Sequence, residues 1–134
     1  METILLEKDI KVLYITAESF PNGILASHQA LHNIIPFSKE RKYFGVSRPE
    51  NGSIIYKAAA EIMEIGEAEK YQLNTLIIKK GNYSSYSVKG YREDPIKIQD
   101  AFQKLISNPK IDPQGYCIEW YINNETVECM VRLK

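Results

Sequence analysis

The order of the predicted elements is the feature that most constrains the fold of this chain, because the same order occurs twice. In each half, a short stretch rich in β-branched and aromatic residues is followed by an amphipathic helix and then by two strands. The first unit spans about residues 11–60 and the second about residues 83–133. The element order alone indicates the repeat, since the sequences of the two halves show negligible identity.

Turn and helix-end signals delimit the first unit. Pro21-Asn22-Gly23 opens its helix, Pro36 follows the last helical residue, and Pro49-Glu50-Asn51-Gly52 predicts a hairpin turn. His28 takes one position on the apolar stripe of this helix. The predicted elements are strands over residues 11–16, 41–47 and 53–60 and a helix over about 21–35. The apolar positions of the helix are Ile24, Leu31, Ile34 and Ile35.

The second unit repeats this order. Asp94 is the predicted N-cap of its helix and Pro95 the first helical residue. The predicted elements are strands over residues 83–90, 116–122 and 126–133 and a helix over 95–107. The helix stripe consists of Ile98, Ala101, Phe102, Leu105 and Ile106.

Between the units we predict one further strand, over residues 73–80, and a loop or short irregular helix over the acidic stretch 61–69. The carboxylates of that stretch fit a solvated face; they are Glu61, Glu64, Glu67 and Glu69. The predicted fold is therefore α+β, with duplicated β-α-β-β units that form an antiparallel sheet with two helices and a central ligand groove. We expect a single domain over residues 1–134.

Charge and the ends of the chain narrow the class of partner. The 17 Lys and Arg balance the 17 Asp and Glu, which argues against direct binding of nucleic acid. The sequence does not open with a basic segment followed by an apolar stretch, so we expect no secretory signal. No apolar stretch approaches the roughly 20 residues that span a bilayer. We therefore expect a cytoplasmic protein without membrane contact. Its two cysteines, Cys117 and Cys129, are most simply buried thiols, with a cross-strand disulfide as the less favoured alternative.

The strand over 116–122 carries the most informative residue. Because side chains alternate along a strand, Ile118 and Trp120 share an apolar face that should pack on a helix, whereas Cys117, Glu119 and Tyr121 share the other face. One interpretation is that this second face is simply exposed to water. The other is that it lines an aromatic pocket with Glu119 as a buried anion, which would act as a cation receptor or as an acid or base.

Other chemistries find little support in the sequence. His28 and His32 are one helical turn apart, a spacing that can chelate a metal, but no third ligand lies nearby in sequence and His28 is on the buried stripe. The serines of the strand over 83–90 are not in a nucleophile elbow, and no glycine-rich phosphate loop occurs. We therefore predict no metal and no cofactor, and Glu119 is the catalytic candidate if the chain is an enzyme.

Several short motifs resemble those of the GyrI-like domain, the effector-binding domain of bacterial multidrug-responsive transcription activators. Glu119-Trp120-Tyr121 looks like the Glu-x-Tyr signature of that family. Tyr43-Phe44-Gly45-Val46 resembles its second strand, and Lys80-Gly81-Asn82-Tyr83 with Lys89-Gly90 resembles its Gly-x-Tyr and strand-ending glycine pattern. The resemblance extends over about residues 10–133.

The resemblance implies a duplicated β-α-β-β fold with a glutamate at the base of an aromatic pocket that engages lipophilic cations. It assigns that glutamate to Glu119, with Tyr121 beside it. The chain departs from the family in lacking a proline in its last strand and a helix-turn-helix before residue 10. The lack of a helix-turn-helix implies a stand-alone form of the domain.

The chain has nine tyrosines against four Phe and one Trp, and tyrosine suits the wall of such a pocket. At most one of Tyr43 and Phe44 can point inward, because adjacent strand residues face opposite ways. The candidate ligand-binding residues are Glu119, Tyr121, Tyr56, Tyr43, Phe44, Tyr83 and Tyr86.

Three functions remain open from the sequence. The favoured one is binding of small aromatic cations, of the kind found in the effector domains of transcription regulators, with Glu119 as counter-ion. The second is hydrolysis of a reactive small molecule with Glu119 as general base. The third is a protein-interaction module, with a protein partner, as in gyrase-inhibitory members of the family that the chain resembles.

Overall fold

A computed structural model describes the whole chain from Met1 to Lys134 as one eight-stranded antiparallel sheet with three helices. The strands are β1 (Glu2–Leu6), β2 (Ile10–Thr16), β3 (Tyr43–Glu50), β4 (Ser53–Glu61), β5 (Asn74–Ile78), β6 (Gly81–Lys89), β7 (Cys117–Tyr121) and β8 (Thr126–Arg132). The helices are α1 (Ile24–Ile34), α2 (Glu67–Tyr71) and α3 (Ile96–Ile106). None of the three helices is long and apolar enough to cross a membrane.

The sheet confirms the predicted α+β fold and its duplication. Its strand order is β1-β6-β8-β7-β3-β4-β2-β5. The first unit, β2-α1-β3-β4, contributes the order β3-β4-β2, and the second unit, β6-α3-β7-β8, contributes the corresponding order β7-β8-β6. The two units meet where β3 pairs with β7, and β5 and β1 extend the two outer edges.

The register at this junction places one residue of each unit directly opposite the other. Gly45 of β3 pairs with Glu119 of β7. Gly45 also pairs with Ala58 of β4, and Glu119 pairs with Cys129 of β8. Gly45 and Glu119 are therefore equivalent positions of the two units, so the duplication retains a single carboxylate at its centre.

Both long helices pack on the face of the sheet that carries Glu119. Leu31 and Ile35, at the end of α1 and just after it, pack with Ala58 and Ala60, and Leu105 of α3 packs in a separate cluster. The cluster beneath α3 also contains Ala101, Val88, Val127, Cys129 and Val131, with Cys117 and Tyr121 against it.

The opposite face of the sheet has its own core, and here one prediction was wrong. We expected the face of Ile118 and Trp120 to pack on a helix, but both lie in a cluster to which only strands and the residue before β7 contribute. That cluster joins residues of both outer parts of the sheet, such as Ile78 of β5 and Tyr83 of β6. Because the sheet curls into a half-barrel, it buries this face against itself and needs no helix there.

Three details at the element ends also differ from the sequence predictions. Strand β1 was not predicted, since it lies at the sheet edge and its residues are largely exposed. Asp94 is not a side-chain cap: Pro95 is the N-cap residue, and it is the backbone carbonyl of Asp94 that accepts the N–H of Lys97. Ile34 and Ile106 are at the ends of their helices and are 40% and 51% exposed, although both were assigned to buried stripes.

Glu67 contradicts the prediction of a solvated acidic face. Its carboxylate accepts two hydrogen bonds of 3.0 Å from the guanidinium of Arg41, and both side chains are almost completely buried. Its Oε1 also accepts the backbone N–H groups of Met63 and Glu64. The ion pair fixes the turn before α2 against the segment that leads into β3.

Replacing Glu67 by Gln should lower the free energy of unfolding at pH 7 by about 2 kcal/mol, because the charge of Arg41 then lies buried without a counter-charge. The hydrogen bond from Arg41 lowers the pKa of Glu67 to about 2. A depressed folded-state pKa stabilises the protein above the ordinary value of 4.5, and this contribution is lost as the pH falls towards 2. Urea unfolding at several pH values should therefore show the two proteins converging at low pH, and a constant difference would contradict this assignment.

Candidate functional site

Glu119 lies at the centre of the sheet, between the cluster beneath α1 and the cluster beneath α3. On one side Glu119 pairs with Cys129 of β8, which belongs to the α3 cluster. On the other side it pairs with Gly45 of β3, which in turn pairs with Ala58 of the α1 cluster. The side chain points to the helix face of the sheet, and the residue is only 8% exposed. A carboxylate at this depth requires compensation for its lost hydration.

Two tyrosine hydroxyls supply the hydrogen bonds of this carboxylate, and both reach the same oxygen. The hydroxyl of Tyr121 donates to Oε1 of Glu119 at 2.5 Å, and that of Tyr56 approaches the same atom at 3.5 Å. The two hydroxyl oxygens lie 3.1 Å apart. Oε2 receives no hydrogen bond. The only side-chain nitrogen or oxygen in the structure that is both fully enclosed and without a hydrogen-bond partner is Nε of Arg41, so Oε2 is not fully enclosed. Oε2 therefore keeps some contact with solvent.

Tyr56 reaches Glu119 because Gly45 lies between them. Tyr56 is 1% exposed, and its ring extends over β3 towards β7. A Cβ on Gly45 would lie 2.1 Å from the Tyr56 hydroxyl oxygen and 2.8 Å from the adjacent ring carbon. The missing side chain at position 45 thus makes the space in which this hydroxyl meets the carboxylate.

Aromatic side chains surround the two tyrosines on the helix side. His28 of α1 places its Nε2 at 2.7 Å from the Tyr56 hydroxyl oxygen, and its ring centroid is 5.3 Å from that of Tyr121 in an edge-on arrangement. The ring of Tyr91 approaches Tyr121 at 5.7 Å from the other side. Phe20, in the segment before α1, stacks on Tyr56 with centroids 6.2 Å apart. The candidate site is thus a carboxylate with two tyrosine partners, against which three further aromatic side chains pack.

No cationic side chain balances the charge of Glu119. None of the four ion pairs in the structure involves it. Burial raises the pKa of Glu119 above its usual range, and the hydrogen bonds from Tyr121 and Tyr56 offset only part of this effect. Burial also raises the pKa values of both tyrosines, and proximity to Glu119 raises them further. Burial, with a smaller contribution from His32, lowers the pKa of His28 to about 4, so that its imidazole is neutral near pH 7.

The structure brings some of the predicted ligand-binding residues together and separates others. Tyr56 and Tyr121 contact Glu119, whereas Phe44 and Tyr83 lie in the core on the opposite face of the sheet. Tyr83 there donates its hydroxyl to the carbonyl of Lys79. We leave Phe44 and Tyr83 out of the site, because the sheet itself separates them from the carboxylate.

Tyr43 and Tyr86 are on the helix face but do not contact the carboxylate. Tyr43 packs between His32 and Phe37, with ring centroids 5.0 and 5.4 Å away, and its hydroxyl accepts the N–H of Ser38. Tyr86 pairs with Cys129 and is therefore two strands away from Glu119. The ammonium of Lys104 lies 5.3 Å from the centre of its ring.

Four residues of the site were not among the predicted ligand-binding residues: Phe20, His28, Gly45 and Tyr91. His28 carried a signal, since a histidine on the apolar stripe of a helix must find a polar partner in the interior. Gly45 carried another, as a glycine inside a strand often marks close approach of a neighbouring group. Phe20 and Tyr91 lie in connecting segments, where periodicity says nothing about direction.

The two histidines of α1 lie in different environments. His28 contacts Tyr56 and Tyr121, whereas His32 contacts Tyr43 and Phe37.

Cys117 and Cys129 are free thiols. Burial raises the pKa of Cys117 to about 11, and it raises that of Cys129 as well. A thiol whose pKa is raised in this way is a poor nucleophile at neutral pH.

A groove adjoins the site on the side of Phe20. It has a volume of about 470 Å³ and is lined by Ala17, Glu18, Ser19, Phe20, Ser53, Ile54 and Ile55. Phe20 is 46% exposed and contacts Tyr56 with its ring. This side chain therefore belongs to both the groove and the site.

Comparison with known proteins shows the fold and no family. No family model and no curated protein sequence matches the chain. An integron cassette protein of Vibrio cholerae has the same fold with a TM-score of 0.71 and 13% identity, over 99% of this chain and 95% of that one. The protein SAV2435, solved with bound tetraphenylphosphonium, gives a TM-score of 0.64 and 12% identity, over 99% and 93% of the two chains.

Two further structures with this fold differ in the role ascribed to them. A Staphylococcus aureus MU50 protein, to which a role in bacterial transcription regulation has been ascribed, gives a TM-score of 0.65 at 11% identity, over 99% of this chain and 97% of that one. A hydrolase from Listeria innocua gives 0.58 at 7% identity, over 99% and 90%. At these identities the likeness shows the shared fold alone, and the function must be argued from the site.

Proposed function

We propose that this chain is a GyrI-like domain that binds small lipophilic aromatic cations, with Glu119 as their counter-ion. One observation carries the proposal: Glu119 is buried among hydrogen-bonding partners that are all neutral. In a protein interior, a carboxylate is ordinarily paired with a cation or protonated. A ligand that brings its own positive charge would complete the pairing that the protein leaves open.

The surroundings of the carboxylate suit a delocalised cation better than a small inorganic one. Tyr56, Tyr121, Tyr91, Phe20 and His28 present rings around it. An aromatic face attracts a cation by about 0.5–2 kcal/mol, depending on how far the pair is removed from water. Glu119 does not belong to any group of three or more His, Cys, Asp or Glu side chains, so a metal ion would find too few ligands. Stacking contacts discriminate weakly between shapes, which favours a broad range of aromatic ligands.

The fold comparisons support this proposal without deciding it. SAV2435, which shares the fold over nearly its whole length, was solved with the lipophilic cation tetraphenylphosphonium. The fold also occurs in a protein to which transcription regulation has been ascribed, and sensing a ligand fits such a role. We therefore propose a binding domain of the effector type, and tetraphenylphosphonium is the natural first probe.

The proposal is tested by titrating the protein with two matched ligands in a calorimeter. Tetraphenylphosphonium is a cation, and triphenylphosphine oxide is a neutral molecule with similar phenyl groups. We expect the cation to bind at least about tenfold more tightly, because only the cation gains the charge pairing with Glu119. Equal affinities would show that the pocket selects phenyl groups and not charge.

The affinity for the cation should rise with pH, because only ionised Glu119 can act as its counter-ion. The raised pKa of this carboxyl keeps part of the protein protonated at pH values where an exposed glutamate is fully charged. We expect the affinity to fall about tenfold for each pH unit below that pKa and to be constant above it. Binding of triphenylphosphine oxide serves as the control and should not follow this profile.

A second function, hydrolysis, is favoured by the burial of Glu119, which raises the pKa of this carboxyl. A carboxylate with a raised pKa could accept a proton from water as the water oxygen bonds to a carbon of an epoxide. The C–O bond of the epoxide breaks, and the alkoxide that results takes a proton from solvent to give a diol. The hydrolase from Listeria innocua shares the fold. Turnover of an epoxide that is lost in the Glu119→Gln variant, with substrate binding retained, would establish this function, and absence of turnover in the unmodified protein would reject it.

A further inference from the structure

His28 is the one side chain of α1 that forms a hydrogen bond with the polar centre of the site. Its Nε2 lies 2.7 Å from the Tyr56 hydroxyl oxygen, which lies 3.1 Å from that of Tyr121, and Tyr121 in turn donates to Glu119. The four side chains form one continuous series of hydrogen bonds. Nδ1 of His28, at the other end, has no hydrogen-bond partner and is not fully enclosed, so it contacts solvent.

The direction in which the protons point along this series of hydrogen bonds depends on the charge of Glu119. A carboxylate only accepts hydrogen bonds, so when Glu119 is ionised Tyr121 donates to it. Tyr56 has a single proton, and it can turn that proton towards Tyr121 and Glu119 only if its own oxygen accepts the Nε2–H of His28. If Nε2 carried no proton, Tyr56 would donate to the imidazole instead and turn its proton away from the anion.

When Glu119 is protonated, the opposite direction becomes possible. Its carboxyl can donate to Tyr121, Tyr121 can donate to Tyr56, and Tyr56 can donate to a bare Nε2 of His28. His28 then carries its proton on Nδ1, which faces solvent. The ionised carboxyl thus requires the Nε2–H tautomer of the imidazole, whereas the protonated carboxyl also allows the Nδ1–H tautomer.

We propose that His28 is a positioning residue whose tautomer is coupled to the charge of Glu119, and that its Nε2–H orients both tyrosine hydroxyls towards the carboxylate. This role is additional to the contribution of its ring to the wall of the site. It makes α1 the element that determines whether the carboxyl is ready to pair with a cation. The part of the inference that concerns ligand affinity rests on the proposed function; the coupling itself does not.

Several titratable groups face these four hydrogen-bonded residues, among them Tyr91, whose ring centroid lies 5.7 Å from that of Tyr121. His28 faces His32 from its own helix, Tyr56 from β4 and Tyr121 from β7. Glu119 faces the two tyrosines and lies near Cys117 and Cys129, whose thiols remain protonated at neutral pH. His32 is the one neighbour that can titrate in the same range, and it therefore provides the control.

The tautomer can be measured directly in the ligand-free protein from the nitrogen chemical shifts of the two imidazoles. At pH values well above its pKa of about 4 the ring of His28 is neutral, so a change in its shifts there reports a change of tautomer. We expect Nε2–H at high pH and a growing share of Nδ1–H as the pH falls and Glu119 is protonated. The Glu119→Gln variant should keep one tautomer over this range, and the His32→Gln variant should behave like the unmodified protein. An unchanging tautomer in the unmodified protein, or the same change in Glu119→Gln, would overturn the proposal.

Tetraphenylphosphonium titrations over a pH series separate orientation from a merely structural role. The His28→Phe variant keeps a ring but loses the donor, so the carboxylate is less stabilised. We expect its binding midpoint to move roughly one pH unit upward. His28→Gln retains an N–H donor and should restore the original midpoint. Equal losses of affinity at all pH values in His28→Phe would contradict the proposal. If the unmodified protein does not bind the cation, the proposed function fails, and the tautomer measurement still decides the role of His28.

Discussion

Replacing Glu119 by Gln should weaken the binding of tetraphenylphosphonium at least about 100-fold and, at the same time, make the ligand-free protein more stable. Glutamine has nearly the same size and keeps an oxygen that can accept the hydroxyl of Tyr121. It removes the charge with which the cation would pair. The change is therefore confined to electrostatics, and affinity and stability should move in opposite directions.

The sign of the stability change follows from the raised pKa of Glu119. An acid whose pKa is higher in the folded state binds more protons there, so its contribution to stability is greatest at low pH. That contribution is lost as the pH rises from the ordinary value through the raised one. At pH 7 the buried carboxylate is therefore destabilising, and its removal should increase the free energy of unfolding by about 1–3 kcal/mol.

Calorimetric titration and urea unfolding measure the two effects on the same samples. The gain in stability of Glu119→Gln should shrink as the pH is lowered towards 4, because Glu119 in the unmodified protein becomes neutral as well. Glu125→Gln is the matched control, since Glu125 is exposed in the turn of the same hairpin. The control should leave both affinity and stability nearly unchanged. A Glu119→Gln variant that binds the cation normally, or that is less stable at pH 7, would disprove the role given to this residue.

Replacing Gly45 by Ala should destabilise the protein by about 3 kcal/mol, although it adds only one methyl group. The new Cβ would lie 2.1 Å from the hydroxyl oxygen of Tyr56, a distance at which the ring must move. Tyr56 is 1% exposed and has no free space on the sheet side. Its displacement would also break its hydrogen bonds with His28 and Tyr121.

A double-mutant cycle with Tyr56→Phe tests this explanation of Gly45. Phenylalanine lacks the hydroxyl that makes the shortest contact, but its ring carbon would still lie 2.8 Å from the new Cβ. We expect the penalty of Gly45→Ala to fall by at least about 1 kcal/mol in the Tyr56→Phe background without vanishing. Thermal and urea unfolding of the four proteins give the coupling energy. An identical penalty in both backgrounds would mean that Tyr56 is not what requires a glycine at position 45.

Most of the fold could be predicted because its signals are local. The two helices follow from apolar stripes, and the hairpins follow from turns such as Asn51-Gly52. What could not be predicted is the face of β7 on which the helices lie. Both faces of that strand are covered, one by the helices and one by the curled sheet, so the alternation of Trp120 and Glu119 fits either arrangement.

The candidate site could be predicted only where strand parity determines it. Parity places Tyr121 on the same face as Glu119, and the structure has both residues there, joined by a hydrogen bond. The approach of Tyr56 depends on the register that sets Gly45 opposite Glu119, which is a property of the assembled sheet. The contact of His28 depends on how α1 crosses that sheet. Long-range geometry of this kind leaves no local pattern in the sequence.

The pKa of Glu119 with and without ligand tests the central claim most directly. It can be followed by the carbon chemical shift of its side-chain carboxyl in a pH titration, with Glu119→Gln to assign the signal. We expect a value above the usual range in the free protein and a clear decrease when tetraphenylphosphonium is bound, because a cation favours the ionised carboxyl. A pKa in the ordinary range, or one that the cation leaves unchanged, would contradict the account of Glu119 as a buried counter-ion.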